Sequence, residues 1–151
     1  MQNIFDAKVA QEYINRINNL TPETQRKWGK MSVDQVLAHL NVAYETIYEP
    51  EKHPKPGFIA GILLKNFVKA KTVNELPYKQ NLPTGPMFLI KGNKDFETEK
   101  KRLIGFIQKT QQLGKEAFDG KMSHSFGKLT AQEWNNMLAK HLNHHLDQFG
   151  V

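Results

Sequence analysis

The sequence predicts an all-α protein, a four-helix bundle with long crossover loops and one or two short extra helices. Four long stretches place apolar residues at helical spacing, and residues of the helix-capping kind stand at their starts. Between them, strand-type alternation is scarce while Pro and Gly punctuate the chain. The 151 residues carry no internal repeat, low-complexity tract or linker, so a single domain over 1–151 is expected, large enough for a real core.

Taken in order, Asp6 can cap a first helix running to about Asn19, with Val9, Tyr13, Ile14, Ile17 and Leu20 on one face. Thr21-Pro22-Glu23 reads as an N-cap with Pro at the first position of a short helical turn, and Trp28 to Met31 as a connector. Ser32 and Gln35 form a capping box for the second long helix, whose apolar face collects Val33, Val36, Leu37, Leu40, Tyr44 and Ile47, with His39 at its border. A turn-rich loop follows Pro50. Phe58 to Lys71 is amphipathic: Phe58, Ile59, Ile62, Leu63 and Phe67 face one way and are expected to be buried over one end of the core, leaving Lys65, Lys69 and Lys71 in water. The Pro- and Gly-containing stretch 72–93 should hold little regular structure, and a loop this long is often functional. Asp95 caps the third long helix, with Phe96, Leu103, Ile104, Phe106, Ile107 and Leu113 as its buried candidates. After a loop over 114–128, Thr130 and Glu133 form a second capping box, and the last helix runs to Gly150.

Composition excludes several classes. There is no cysteine, so disulfides and a protein thiolate nucleophile are ruled out, and any metal must be held by His, carboxylate or water. The N-terminus has no apolar signal region and the longest apolar run is too short and too charged to span a bilayer; a cytoplasmic protein without a membrane partner is expected. A net charge of +6 invites anionic partners. The nearest thing to a basic cluster, Lys91, Lys94, Lys100, Lys101 and Arg102, is interleaved with acids and reads as a solvated face; no nucleic-acid motif, phosphate-cradling Gly loop or nucleophile elbow is present.

The chemistry concentrates on the last helix. Trp134, Leu138, His141, Leu142, His145 and Phe149 project from one face, so two imidazoles a turn apart interrupt an apolar stripe. A pair at i, i+4 converges on a shared point, the spacing of a metal-ligand pair; imidazoles near a helix C-terminus also suit its dipole, and spacing by itself leaves both roles open. His39 is the best third ligand, although a lone core histidine is more often held by a hydrogen bond. His144 points about 100° away from His145 and should face solvent. His53 lies in a Pro-rich loop without a signal. His124 is a candidate for a supporting contact to the site or to substrate, with a local turn role equally open. Trp28 and Trp134 read as core or lid.

The motifs WGKMSVDQVLAHL at 28–40, LPTGPMFLI at 82–90 leading into DFETEKKRL, and HSFGKLTAQEWNNMLAKHLNHHLDQFGV at 124–151 together resemble the DinB/YfiT-like superfamily of metalloenzymes, in a branch known only as a domain of unknown function. The resemblance spans most of the chain and is most specific at HxxxH. It implies a four-helix bundle with three histidine ligands, one from the second helix and two from HxxxH, which fall on His39, His141 and His145. It also implies a low-molecular-weight thiol cosubstrate, since characterised members include thiol-dependent S-transferases and a mycothiol-dependent isomerase. The branch usually places Pro after the loop histidine, where this chain has Ser125.

The expectation is therefore a metal-dependent enzyme of the thiol S-transferase kind, with one divalent ion (Zn, Ni or Fe) on His39, His141 and His145 and a small-molecule substrate. A homodimer is the assembly left open. The rivals are a hydrolase using metal-bound water and a non-catalytic metal-binding or stress-response module.

Overall fold

The computed structural model describes residues 1–151. Asp6 stops the incoming chain in an extended conformation and accepts the N–H groups of Lys8 and Val9, which opens α1 (Ala7–Asn18). Ser32 precedes α2 (Val33–Tyr48), and the Gln35 side chain returns to the Ser32 N–H. Asp95 accepts from Thr98 at the start of α5 (Phe96–Leu113). Thr130 and Glu133 cap α6 (Ala131–Phe149) reciprocally, and Gly150 ends it in the left-handed conformation. The short connection 21–24 is a turn held by Thr21 and Thr24 rather than the helical turn that Pro22 suggests.

These four long helices share one core. Tyr13, Ile14 and Ile17 of α1, Val36, Leu37, Leu40 and Tyr44 of α2, Leu103 and Ile107 of α5, and Leu138, Leu142, Leu146 and Phe149 of α6 are buried together. The protein is thus all-α apart from a two-stranded hairpin, β1 (Met122–Ser123) and β2 (Gly127–Lys128), that leads into α6. A smaller cluster of Val73, Phe118, Leu129 and Trp134 closes the side from which that hairpin arrives. No helix is long and apolar enough to cross a membrane.

Three further expectations need correction. Residues 58–73 are helical, as α3 (Phe58–Leu63), a π-helical turn over Leu64–Val68, and α4 (Lys69–Val73), but their apolar side chains are not buried. Phe58 is 84% exposed, Ile59 74% and Phe67 69%, because the other elements do not cover this face. Periodicity reports that a face is apolar, not that anything covers it. Leu113 is likewise exposed, at the very end of α5 where the core stops. Arg102 is not a freely solvated charge: it is partly buried between α2 and α5, paired with Glu45, with Glu99 at 3.1 Å and with Glu49 at 3.5 Å. Burial works to raise the Glu45 pKa, yet hydrogen bonds from Arg102 and His53 outweigh it and hold the carboxyl below its ordinary value.

The N-terminal segment and the end of α4 are fastened to α6 by buried polar side chains. Asn135 accepts the Ile4 N–H at 2.7 Å and donates to Gln2 O; Asn136 donates to Val73 O at 2.9 Å. The Lys140 ammonium, almost fully buried, donates to Lys71 O, Asn74 O and Asn74 Oδ1 at 2.7–2.8 Å. Three oxygens thus replace the water a lysine normally keeps. Burial still lowers its pKa to about 8. Substituting Lys140→Met strands those oxygens, so we expect about 1–3 kcal/mol of destabilisation in urea unfolding. Amide exchange should quicken over 69–74 while α5 stays protected.

Candidate metal centre

The capped start of α6 sets the azimuth of everything after it, so His141 and His145 emerge one turn apart on its inner face. From α2, His39 meets them. It is buried rather than bordering the core: only 3% of its surface remains exposed. The ligand-type nitrogens of His39, His141 and His145 lie within 4.8 Å of one another, and His39 Nε2 is 2.9 Å from His141 Nε2.

Hydrogen bonding on the far side of each ring decides what those nitrogens offer. His39 Nδ1 is 2.9 Å from the carbonyl oxygen of Phe88, which can only accept, so Nδ1 carries the proton and Nε2 a lone pair. His145 Nδ1 is 2.8 Å from Gln148 Oε1. The Gln148 amide has no choice of orientation, because its Nε2 donates to Trp28 O at 2.7 Å. His145 Nδ1 is therefore also the protonated nitrogen, and its Nε2 is a lone pair. Only His141 has a proton free to bring to the meeting point. With the rings neutral, three converging nitrogens share one proton at most, whereas a divalent cation satisfies all three lone pairs at once. The donor set fits an imidazole-preferring transition ion.

Electrostatics favour the neutral rings. Burial lowers the His39 pKa; burial and the other imidazoles take His141 well below its ordinary value; burial, then His39, bring His145 down to about 3. Neutral imidazole is the ligating form. The Phe88 ring, 5.4 Å from His39 and 6.1 Å from His141 between centroids, walls the cluster on the side of the 82–90 loop.

The remaining histidines stay outside the group. His144 is half-buried rather than fully in solvent; it stands edge-on to Trp28 and Tyr78, 6.1 and 5.7 Å away. His124 makes its contacts with Ser125 Oγ and with the carbonyl of His53, and His53 in turn pairs with Glu45 at 2.7 Å. Three contributors were missed in the sequence: Gln148, the Phe88 carbonyl and Gly29. Gly29 has φ +82°, and a Cβ there would run into Gln148 Nε2. The only available signal was a Gln three residues after a candidate ligand and a Gly beside a Trp.

Residues 4–150 match the sequence model of a family described as a protein of unknown function, DUF1569. The chain belongs to the DUF1569 family. No curated protein and no solved structure matches this DUF1569 chain.

Two outcomes follow from this geometry. Gly29→Ala should destabilise the protein by about 1–3 kcal/mol and shift the His145 ring resonances, because the strained turn pushes on Gln148. In metal-free protein the unfolded chain takes up protons near the ordinary histidine pKa while the native imidazoles do not. Stability is then highest above about pH 6.5 and falls below it, by up to ~1.4 kcal/mol per pH unit for each imidazole. Urea titrations of chelator-treated protein at a series of pH values check the sign, and His145→Asn should remove its share of the slope.

Proposed function

We propose that this DUF1569 protein is a DinB-like four-helix bundle holding one divalent transition metal on His39, His141 and His145, and that it transfers a small thiol to an electrophilic substrate. The observation that carries the metal is the convergence of three imidazole nitrogens with one shared proton at most. The thiol rests on the resemblance of the HxxxH segment, its surroundings and the 28–40 motif to thiol-using members of that superfamily.

A divalent ion in this donor set would supply positive charge that favours thiolate over thiol near neutral pH. The chain's own residues prepare the place. Phe88 O and Gln148 fix two rings as the tautomers that present Nε2, the kind of outer support that commonly tunes affinity 10–100-fold. Burial favours the unprotonated rings, which lessens the competition between metal and protons. Because the group contains no carboxylate, its ligands leave the ion's charge uncompensated, which suits an anionic sulfur. A hydrolytic reaction would also need a general base, for which the group offers no carboxylate.

Protein purified without a histidine tag should contain about one transition metal per chain by elemental analysis. His39→Ala, His141→Ala and His145→Ala should each lose it, and His144→Ala should keep it. Full occupancy in the His39→Ala variant overturns the three-ligand assignment. With an activated aryl halide as electrophile, turnover should require both metal and an added low-molecular-weight thiol; equal rates without thiol would instead support hydrolysis.

A further inference from the structure

None of residues 58–68 is buried, although Phe58, Ile59, Ile62, Leu63, Phe67 and Val68 are among them. The segment stands off the body as an arm and is fixed at its far end, where Val73 enters the smaller core cluster and Lys140 holds Lys71 O and Asn74. Exposed apolar side chains in this number, next to one another, mark an interaction surface rather than ordinary scatter. The backbone reinforces their alignment. In an uninterrupted α-helix Phe67 would sit about 80° round from Ile59. The wider π-helical turn at Leu64–Val68 reduces that rotation and brings Phe67 towards the azimuth of Ile59.

Charge tells what covers the arm. From residue 52 to residue 74 there are five lysines, Lys52, Lys55, Lys65, Lys69 and Lys71, and no Asp or Glu. Lys52 pairs with Glu49 and Lys69 with Glu133, leaving Lys55, Lys65 and Lys71 without a carboxylate partner. A second copy of the chain is disfavoured as the occupant, because a two-fold interface sets arm against arm and these lysines against one another with no acid within the arm to balance them. Phe, Ile and Leu on one side with lysines around them is instead the composition of a helix that lies in the interface of an anionic bilayer.

We infer that the arm at residues 58–71 docks peripherally on a lipid surface bearing anionic headgroups, inserting Phe58, Ile59, Ile62, Leu63 and Phe67 while the lysines meet the headgroups. This does not depend on the metal reading. The full-length protein is incubated with phosphatidylcholine vesicles, with or without phosphatidylserine, and bound protein is measured by flotation. Wild type should float with the phosphatidylserine vesicles, should remain behind with phosphatidylcholine alone, and should be released by salt. The double variant Phe58→Ser/Phe67→Ser should lose at least about tenfold in partitioning with an unchanged melting temperature, since both side chains are exposed in the fold. Lys65→Glu should weaken binding by about fivefold or more. Absence of wild-type flotation with phosphatidylserine overturns the proposal, as does undiminished binding by the double variant. A wild-type dimer that the double variant converts to monomer, in protein that ignores vesicles, would assign the arm to self-association and equally overturn it.

Discussion

The hydrogen bond between His145 and Gln148 is the constraint on which the site depends. An isolated imidazole can place its single proton on either nitrogen, and a glutamine amide can turn either way. Here neither freedom survives. The Trp28 carbonyl accepts only, so Gln148 must present its amide nitrogen there and its oxygen to His145. The chain reaches this arrangement by running the 27–29 connector against the end of α6, where Lys27 N also bonds Gln148 O at 2.7 Å. Close passage past the Gln148 side chain is possible because residue 29 has no Cβ and adopts positive φ. A backbone carbonyl thus sets, through two side chains, which nitrogen of His145 faces His39 and His141.

The same rule, that a buried polar group must be paired, organises the rest of α6. Its apolar stripe enters the core, but its flanks carry Asn135, Asn136, Lys140 and Gln148, all buried. Each holds backbone from another part of the chain: the N-terminal segment, the end of the arm, or the connector before α2. Helix-to-helix packing alone would leave those segments without a reason to lie where they do. At the C-terminal end of the helix, Arg16 also reaches from α1 to Asn143, Asp147 and the Val151 carbonyl, so the turns that carry His141 and His145 are gripped from two sides. A site built on a helix held in this way has little freedom to drift.

Side chains that obey a period were legible in the sequence. The four long helices, both capping boxes and most of the core faces could be read from spacing, and His141 and His145 stood out because imidazoles interrupted an apolar stripe. His39 was named as the third member from its place beside the buried stripe of α2 and from the family resemblance, since spacing within α2 says nothing about what lies opposite it. Gln148 and the Phe88 and Trp28 carbonyls were beyond reach for a different reason: their partners are distant in sequence, and a backbone carbonyl has no residue signature. The exposed arm is the opposite failure. Its amphipathic pattern was plain, and burial was inferred from it, yet the pattern is equally that of a face whose partner lies outside the chain. His144 shows the reverse again, an outward azimuth that Trp28 and Tyr78 shield in part.

Neutrality also limits which ligands the cluster suits. All three imidazoles are held below their ordinary pKa chiefly by burial, so the surroundings resist positive charge. A dication placed among them meets the same resistance, and the ligand group contains no carboxylate to offset it. Coordination by two fixed lone pairs and a third from His141 would have to offset that cost. The Phe88 ring stands against His39 and His141, so one side of the cluster is apolar. Burial therefore acts on the donors themselves, favouring the neutral imidazoles whose lone pairs meet between α2 and α6.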